Sequence, residues 1–227
     1  PDMEAALVEG LTAAGINVER IGCGSTPMLY YAVFATDADG GVMVTGSHNP
    51  PTHNGFKMML GKKPFFGADI TNLAVLAAAG DVENGQGTIK NNKIFPQYIE
   101  RVLRDFEGSR VLSAVWDPGN GAGADAVTEL VKTLPGRHIV INGAIDGTFP
   151  AHHPDPTVPK NLEQLIECVK AEKADVGFAF DGDADRIGIV DGQGRILWGD
   201  QIMQVLAADV LKTHPGAPII TDVKASQ

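Results

Sequence analysis

The sequence predicts an α/β protein of more than one domain, with helices on both faces of its sheets. Three observations carry this reading. Stretches with apolar residues at helical spacing alternate along the chain with short β-branched runs, the pattern of crossover-connected strands. The 227 residues suffice for two domains, each with a buried core that needs no disulfide or structural metal. The composition is 44% apolar and 20% charged with 27 dispersed glycines, which excludes a disordered, collagenous or disulfide-rich chain.

The elements follow in order. Met3, Leu7, Val8 and Leu11 share one face of a helix over 2–14 that Gly15 closes, and NVERIG (17–22) reads as a short strand. A second helix over 26–37 is given Thr26 as N-cap and Pro27 at its first position, with the strand GGVMVT (40–45) after it. GFKMML (55–60) is another strand, and 68–80 a helix closed by Gly80. The polar, glycine- and asparagine-rich stretch 81–93 has no apolar period and marks a domain boundary. Beyond it come a helix (95–106), the strand RVLSAVWD (110–117), a helix (124–134) and the strand HIVIN (138–142). A proline-rich segment (152–161) leads to a helix (162–173), the buried-strand signal ADVGFAF (174–180), and a hairpin of IGIVD and RILWG around Gly192–Gly194. A last helix (199–214) and strand (217–223) begin a further unit. The expected domains are therefore 1–92, 93–197 and 198–227.

Charge and cysteine usage bound the partners. Eighteen basic against 28 acidic side chains leave a net charge of −10 without a basic cluster, a field that repels nucleic acid and anionic lipid. A phosphate-bearing ligand would need a local basic patch. Cys23 and Cys168 have no metal-ligand spacing and read as thiols of a reducing compartment, so the expected location is cytoplasmic. The opening residues show no signal peptide, and no apolar run of about 18 residues is present to span a membrane.

The densest chemical cluster is FDGDADRIG, where Asp181, Asp183 and Asp185 follow an apolar strand with only Gly182 and Ala184 between them. Three carboxylates this close repel one another, and a hard divalent cation such as Mg²⁺ turns that repulsion into attraction. An EF-hand is excluded, since its sixth and twelfth positions would be Arg186 and Gly192. Arg186 can bind a phosphate or brace a carboxylate. A second cluster, TGSHNPPTHNGFK, sets Ser47 after a strand, beside His48 and ten residues before Lys57. It is not the G-x-S-x-G elbow of hydrolases.

Gly119, Gly121 and Ala124 of PGNGAGA formally fit a dinucleotide fingerprint, but the next strand ends in Asn142 without the acidic residue that would meet a ribose. A dinucleotide-binding oxidoreductase is thus the rival reading. His152 and His153 precede PDP without metal-ligand spacing and read as a proline-ordered loop.

Taken in order, TGSHNPPTHNGFK, DPGNGAGA, HHPDPTVPKNL, DGDADRIGIVD and DVKAS resemble the phosphohexomutase superfamily, most closely its bacterial phosphomannomutase/phosphoglucomutase branch. The resemblance implies multi-domain architecture of three-layer α/β/α domains with mixed sheets, and a chain truncated at both ends relative to the family pattern. It implies an isomerase acting on small sugar phosphates through a phosphoserine at Ser47 and a hexose 1,6-bisphosphate. By the same resemblance, Asp181, Asp183, Asp185 and the phosphorylated Ser47 hold Mg²⁺, and Arg186 neighbours them. His48 and Lys57 lie close to the transferring phosphoryl group, where Lys57 or His48 takes and returns the sugar hydroxyl proton, and Lys57, Arg186 and Lys224 contact substrate. Without its remaining domains the chain itself is expected to bind Mg²⁺ but to lack turnover, and to self-associate through exposed ends.

Overall fold

The computed structural model describes residues 2–50, 52–80, 82–108, 110–221, 223 and 225. The chain forms two compact units, 1–107 with the short segment 183–185, and 108–182 with 186–227.

The first unit contains α1 (Asp2–Ala13), β1 (Val18–Arg20), α2 (Thr26–Ala35), β2 (Gly40–Val44), β3 (Phe56–Leu60), β4 (Lys63–Phe65), α3 (Ala68–Ala79), β5 (Ile89–Asn91) and α4 (Phe95–Arg104). β2, β3 and β4 form an antiparallel sheet in that order, and β1 pairs parallel with β5. Two of these strands carry no sequence signal. β4 contains Pro64, which is tolerated because β4 is an edge strand. β5 lies in the polar stretch with all three residues exposed, and its extended form comes from its partner β1.

Met28, Ala32 and Ile94 are the buried centre of this unit, with Ile21, Tyr31, Phe95 and Tyr98 packed around them. Gly41 lets α2 lie close on β2, since a Cβ there would be 2.6 Å from Val33. α4 packs within the first compact unit through Phe95 and Tyr98. One expectation is corrected: the N-cap of α2 is the extended Ser25, and Thr26 is already helical. Thr26 is drawn inward because its hydroxyl has a buried partner elsewhere in the unit.

The second unit contains β6 (Leu112–Asp117), α5 (Ala124–Leu130), β7 (Gly136–Val140), α6 (Glu163–Glu172), β8 (Val176–Phe180), β9 (Ile187–Asp191), β10 (Ile196–Leu197) and α7 (Gly199–Thr213). Its sheet has the order β10-β9-β8-β6-β7, parallel across β8, β6 and β7 and antiparallel from β8 to β10, the mixed sheet of an α/β domain. Leu165 and Val169 of α6 bury against Val115, Ala179 and Val190. A Cβ at Gly177 would come within 2.7 Å of Val169, so this glycine sets how closely α6 approaches. On the opposite face Trp116 contacts Phe178 with ring centroids 4.6 Å apart.

The strand expected over 217–223 does not form over 217–221, and position 222 lies outside the described residues. A strand needs a neighbour for its backbone groups, and among the described residues none pairs there; Ile220 is 88% exposed. No helix among the described residues is long and apolar enough to cross a membrane.

The end of β6 is fixed by a fully buried carboxylate. Asp117 Oδ1 accepts from the Gly119 N–H at 2.9 Å and from Asn142 Nδ2 at 3.0 Å, and Oδ2 lies 2.9 Å from His152 Nε2. His152 Nδ1 lies 3.0 Å from the His153 carbonyl. Both ring nitrogens face acceptors, an arrangement that favours the imidazolium form. The hydrogen bond to Asp117 raises the His152 pKa and outweighs the opposing effect of burial. A raised folded pKa means that this stabilisation is complete below the unfolded value of about 6.5 and is lost as pH rises through the folded one. His152→Gln is expected to lose about 1–3 kcal/mol at pH 6 in urea denaturation and visibly less at pH 9; a loss independent of pH would refute the imidazolium.

Candidate active site

The serine loop joins β2 to β3 at the register Val44↔Phe56. Thr45 N–H donates to the Gly55 carbonyl at 3.0 Å, and Asn49 N–H to the Gly46 carbonyl at 2.9 Å. At Gly46 a Cβ would come within 2.5 Å of the His53 carbonyl oxygen. Within this tight loop Ser47 adopts φ 50, a left-handed conformation that a non-glycine residue keeps only when its surroundings impose it. Its N–H is tied to Thr45 Oγ1 at 2.8 Å, and its Oγ lies 3.2 Å from His48 Nδ1.

Lys57 stands on β3, opposite Met43 of β2. Its Nζ donates to Asp183 Oδ2 and to Asp185 Oδ2, each at 2.6 Å. Asp183 is 1% exposed. Its Oδ2 also accepts from Thr26 Oγ1 at 2.6 Å, its carbonyl accepts from the Thr26 N–H at 2.9 Å, and the Ser47 hydroxyl hydrogen-bonds to its side chain. Burial pushes the Asp183 pKa up, but the bonds from Lys57, Thr26 and Ser47 more than reverse this and the net shift is downward. For Lys57 burial lowers the pKa, the two carboxylates raise it, and the net shift is upward. Both groups are therefore charged at neutral pH.

Asp181, Asp183 and Asp185 occupy one loop after β8, and one carboxylate oxygen of each lies within 4.8 Å of the others. Asp181 is fully buried and its Oδ1 accepts the Arg186 N–H at 3.0 Å. Arg186 thus closes the loop through its backbone while the residue itself is exposed. Ala184 takes φ 55, the turn that carries the chain from Asp183 to Asp185. Asp183 Oδ1 is buried and has no hydrogen-bond partner among the described residues. An orphaned carboxylate oxygen beside two more carboxylates fits a hard divalent cation, which takes oxygen ligands.

The structure thus gathers Ser47, Lys57 and Asp183, with His48 beside the serine and Asp185 beside the lysine. Lys224 lies outside the described residues. Thr26 was not anticipated as a site residue; 157 positions separate it from Asp183, and no spacing rule spans that distance. The glycines of PGNGAGA have a packing role. Gly119 takes φ 56, and a Cβ on Gly121 would meet the Gly182 carbonyl at 2.7 Å. Ala122 N–H donates to that carbonyl at 2.8 Å, and Asn142 binds Asp117 and Gln164, each at 3.0 Å.

Residues 1–76 match the family domain described as phosphoglucomutase/phosphomannomutase, alpha/beta/alpha domain I, and residues 96–194 match domain II of the same family. The chain belongs to the phosphoglucomutase/phosphomannomutase family. The positions between the two matches, 77–95, include the polar stretch that carries β5. Across all of this chain the sequence is 39% identical to a phosphomannomutase/phosphoglucomutase of Pseudomonas aeruginosa and 41% identical to a phosphoglucomutase of Neisseria meningitidis, of which it covers 49% and 50%. A crystal structure of a phosphoglucomutase/phosphomannomutase family protein from Burkholderia thailandensis superposes with a TM-score of 0.94 at 40% identity, over 99% of this chain and 51% of that one. The chain spans about half the length of the curated relatives it matches.

Coupling between Lys57 and Asp183 is open to a double-mutant cycle. Lys57→Met removes the cationic partner of a buried carboxylate and is expected to cost about 1–3 kcal/mol in urea denaturation, since the lysine is itself partly exposed. Adding Asp183→Asn, which removes the stranded charge, is expected to recover at least about 1 kcal/mol. Strictly additive losses would show that the pair is not coupled.

Proposed function

We propose that this chain carries the phosphoryl-transfer centre of an isomerase that interconverts hexose 6-phosphate and hexose 1-phosphate, mannose or glucose. In this reading Ser47 carries the phosphoryl group, and a hexose 1,6-bisphosphate is the intermediate. The observation that carries it is the convergence of the Ser47 hydroxyl and the Lys57 ammonium on Asp183, within a chain of this family.

The steps balance with these residues. A hydroxyl oxygen of the sugar phosphate attacks the phosphorus of phosphoserine 47, the bond to the Ser47 oxygen breaks, and the bisphosphate forms. After the sugar reorients, Ser47 takes the other phosphoryl group back. The hydroxyl proton needs an acceptor and is later returned. His48, whose Nδ1 is 3.2 Å from the Ser47 oxygen, fits that role. Lys57 is held as an ammonium by two carboxylates, and in this arrangement it stabilises negative charge and contacts the phosphoryl oxygens. The Arg186 guanidinium suits a substrate phosphate, and Lys224 is assigned a substrate contact by the family pattern.

Mg²⁺, held by Asp181, Asp183, Asp185 and an oxygen of phosphorylated Ser47, would supply charge neutralisation at the transferring phosphoryl group. The acidic net charge argues against nucleic acid as a partner. The free thiols of Cys23 and Cys168 suit a reducing compartment and with it a cytoplasmic assignment. The exposed Val205, Leu206 and Val210 of α7 suit self-association.

In untreated full-length protein, intact mass is expected to show one phosphate that is absent from Ser47→Ala, and the variant is expected to lose mutase turnover by about three orders of magnitude or more. Near-normal turnover of the variant would remove Ser47 from the mechanism. The isolated chain, spanning half the length of its relatives, is expected to show no turnover with Mg²⁺ and glucose 1,6-bisphosphate. Rates of about 1–1000 per second from it would refute the need for further domains.

A further inference from the structure

We infer that Thr26 is a positioning residue of the cation site: through its hydroxyl it fixes the carboxylate of Asp183 so that Oδ1 remains for a metal ion. The inference rests on the reading of the aspartate loop as a divalent-cation site. Thr26 has 0% exposure and makes two bonds to one residue, its N–H to the Asp183 carbonyl at 2.9 Å and its Oγ1 to Asp183 Oδ2 at 2.6 Å. Helix capping does not explain this. The cap position belongs to Ser25, whose own hydroxyl is buried without a partner, so the start of α2 leaves the threonine side chain to Asp183.

A hydroxyl has one hydrogen to donate, and here it goes to a carboxylate oxygen. Oδ2 is then claimed by Thr26 and by Lys57, and the Ser47 hydroxyl reaches the same carboxylate, while Oδ1 is buried with no hydrogen-bond partner among the described residues. The two donors differ in kind. Lys57 reaches Asp183 through a flexible stem with 29% of its side chain exposed, so it can shift when a cation competes for the carboxylates. Thr26 is β-branched, fully buried and followed by Pro27, and has one stiff side-chain torsion. It therefore holds the Asp183 rotamer whether or not a cation is present, the role of a hydrogen-bonding residue behind a metal ligand.

The test is Mg²⁺ affinity by titration calorimetry, repeated with Mn²⁺ by electron paramagnetic resonance, on the whole chain and the variants Thr26→Val, Thr26→Ser and Asp183→Asn. Thr26→Val keeps the shape and removes the donor; it is expected to weaken binding about 10–100-fold, while Thr26→Ser stays within about threefold of the parent chain. Should Thr26→Val fail to fold by circular dichroism, Thr26→Ala replaces it under the same thresholds. Affinity of the donor-less variant within about twofold of the parent, or an equal loss in Thr26→Ser, overturns the role of Thr26. Asp183→Asn separates the two readings. If it loses binding while Thr26→Val does not, the cation site stands and only the positioning role fails. If it binds as tightly as the parent, the cation-site reading itself is wrong, and this inference falls with it.

Discussion

A carboxylate that is 1% exposed governs the arrangement of the first unit. An ionised group so buried is costly unless it is paired and hydrogen-bonded, and Asp183 draws its partners from distant parts of the chain. Lys57 is 126 positions away and Thr26 is 157. Their hydrogen bonds fasten the loop segment 183–185 to α2 and to β3. The hairpin β2–β3 must be closed tightly enough for Ser47 to reach the same carboxylate, which accounts for the glycine at position 46 and the left-handed φ of Ser47. The demands of one buried charge thus shape the backbone around it.

Three carboxylates have oxygens within 4.8 Å of one another, and the Lys57 ammonium engages two of them. The chain as a whole already carries a net charge of −10. A phosphorylated serine would add about two more negative charges. Phosphate chemistry in such a field needs a local multivalent cation, and the donors gathered here are all oxygens. A soft transition metal, by contrast, would call for histidine or cysteine ligands.

Much of this was legible in the sequence, where the physics is local. The alternation of helices and strands, the closures at Gly15 and Gly80, and the close spacing of Asp181, Asp183 and Asp185 are short-range patterns, and the structure forms them. What was not legible depends on distant partners. β5 is extended because β1 lies beside it, and β4 is an edge strand despite its proline. The segment 217–221 has the composition of a strand and is not one, and among the described residues no strand pairs with it. Thr26 has the local signature of an N-cap, a frequent position for threonine, yet a hydrogen bond across 157 positions gives it another task.

Two fully buried aspartates show how a brace differs from a binding group. Asp117 ends β6 with both oxygens engaged, one by a backbone N–H and an asparagine, the other by a histidine. Nothing is left over, and its effect is to hold the turn at Gly119 and the loop at His152. Asp183 has comparable burial and three side-chain donors, Lys57, Thr26 and Ser47, but Oδ1 has no hydrogen-bond partner among the described residues. Leaving a buried acceptor unmade costs about 1–3 kcal/mol, and a carboxylate could avoid that cost by rotating if it were free to do so. It is not free, because Thr26 and Lys57 hold the other oxygen. The satisfied aspartate is therefore structural, and the half-satisfied one keeps an acceptor available for a ligand.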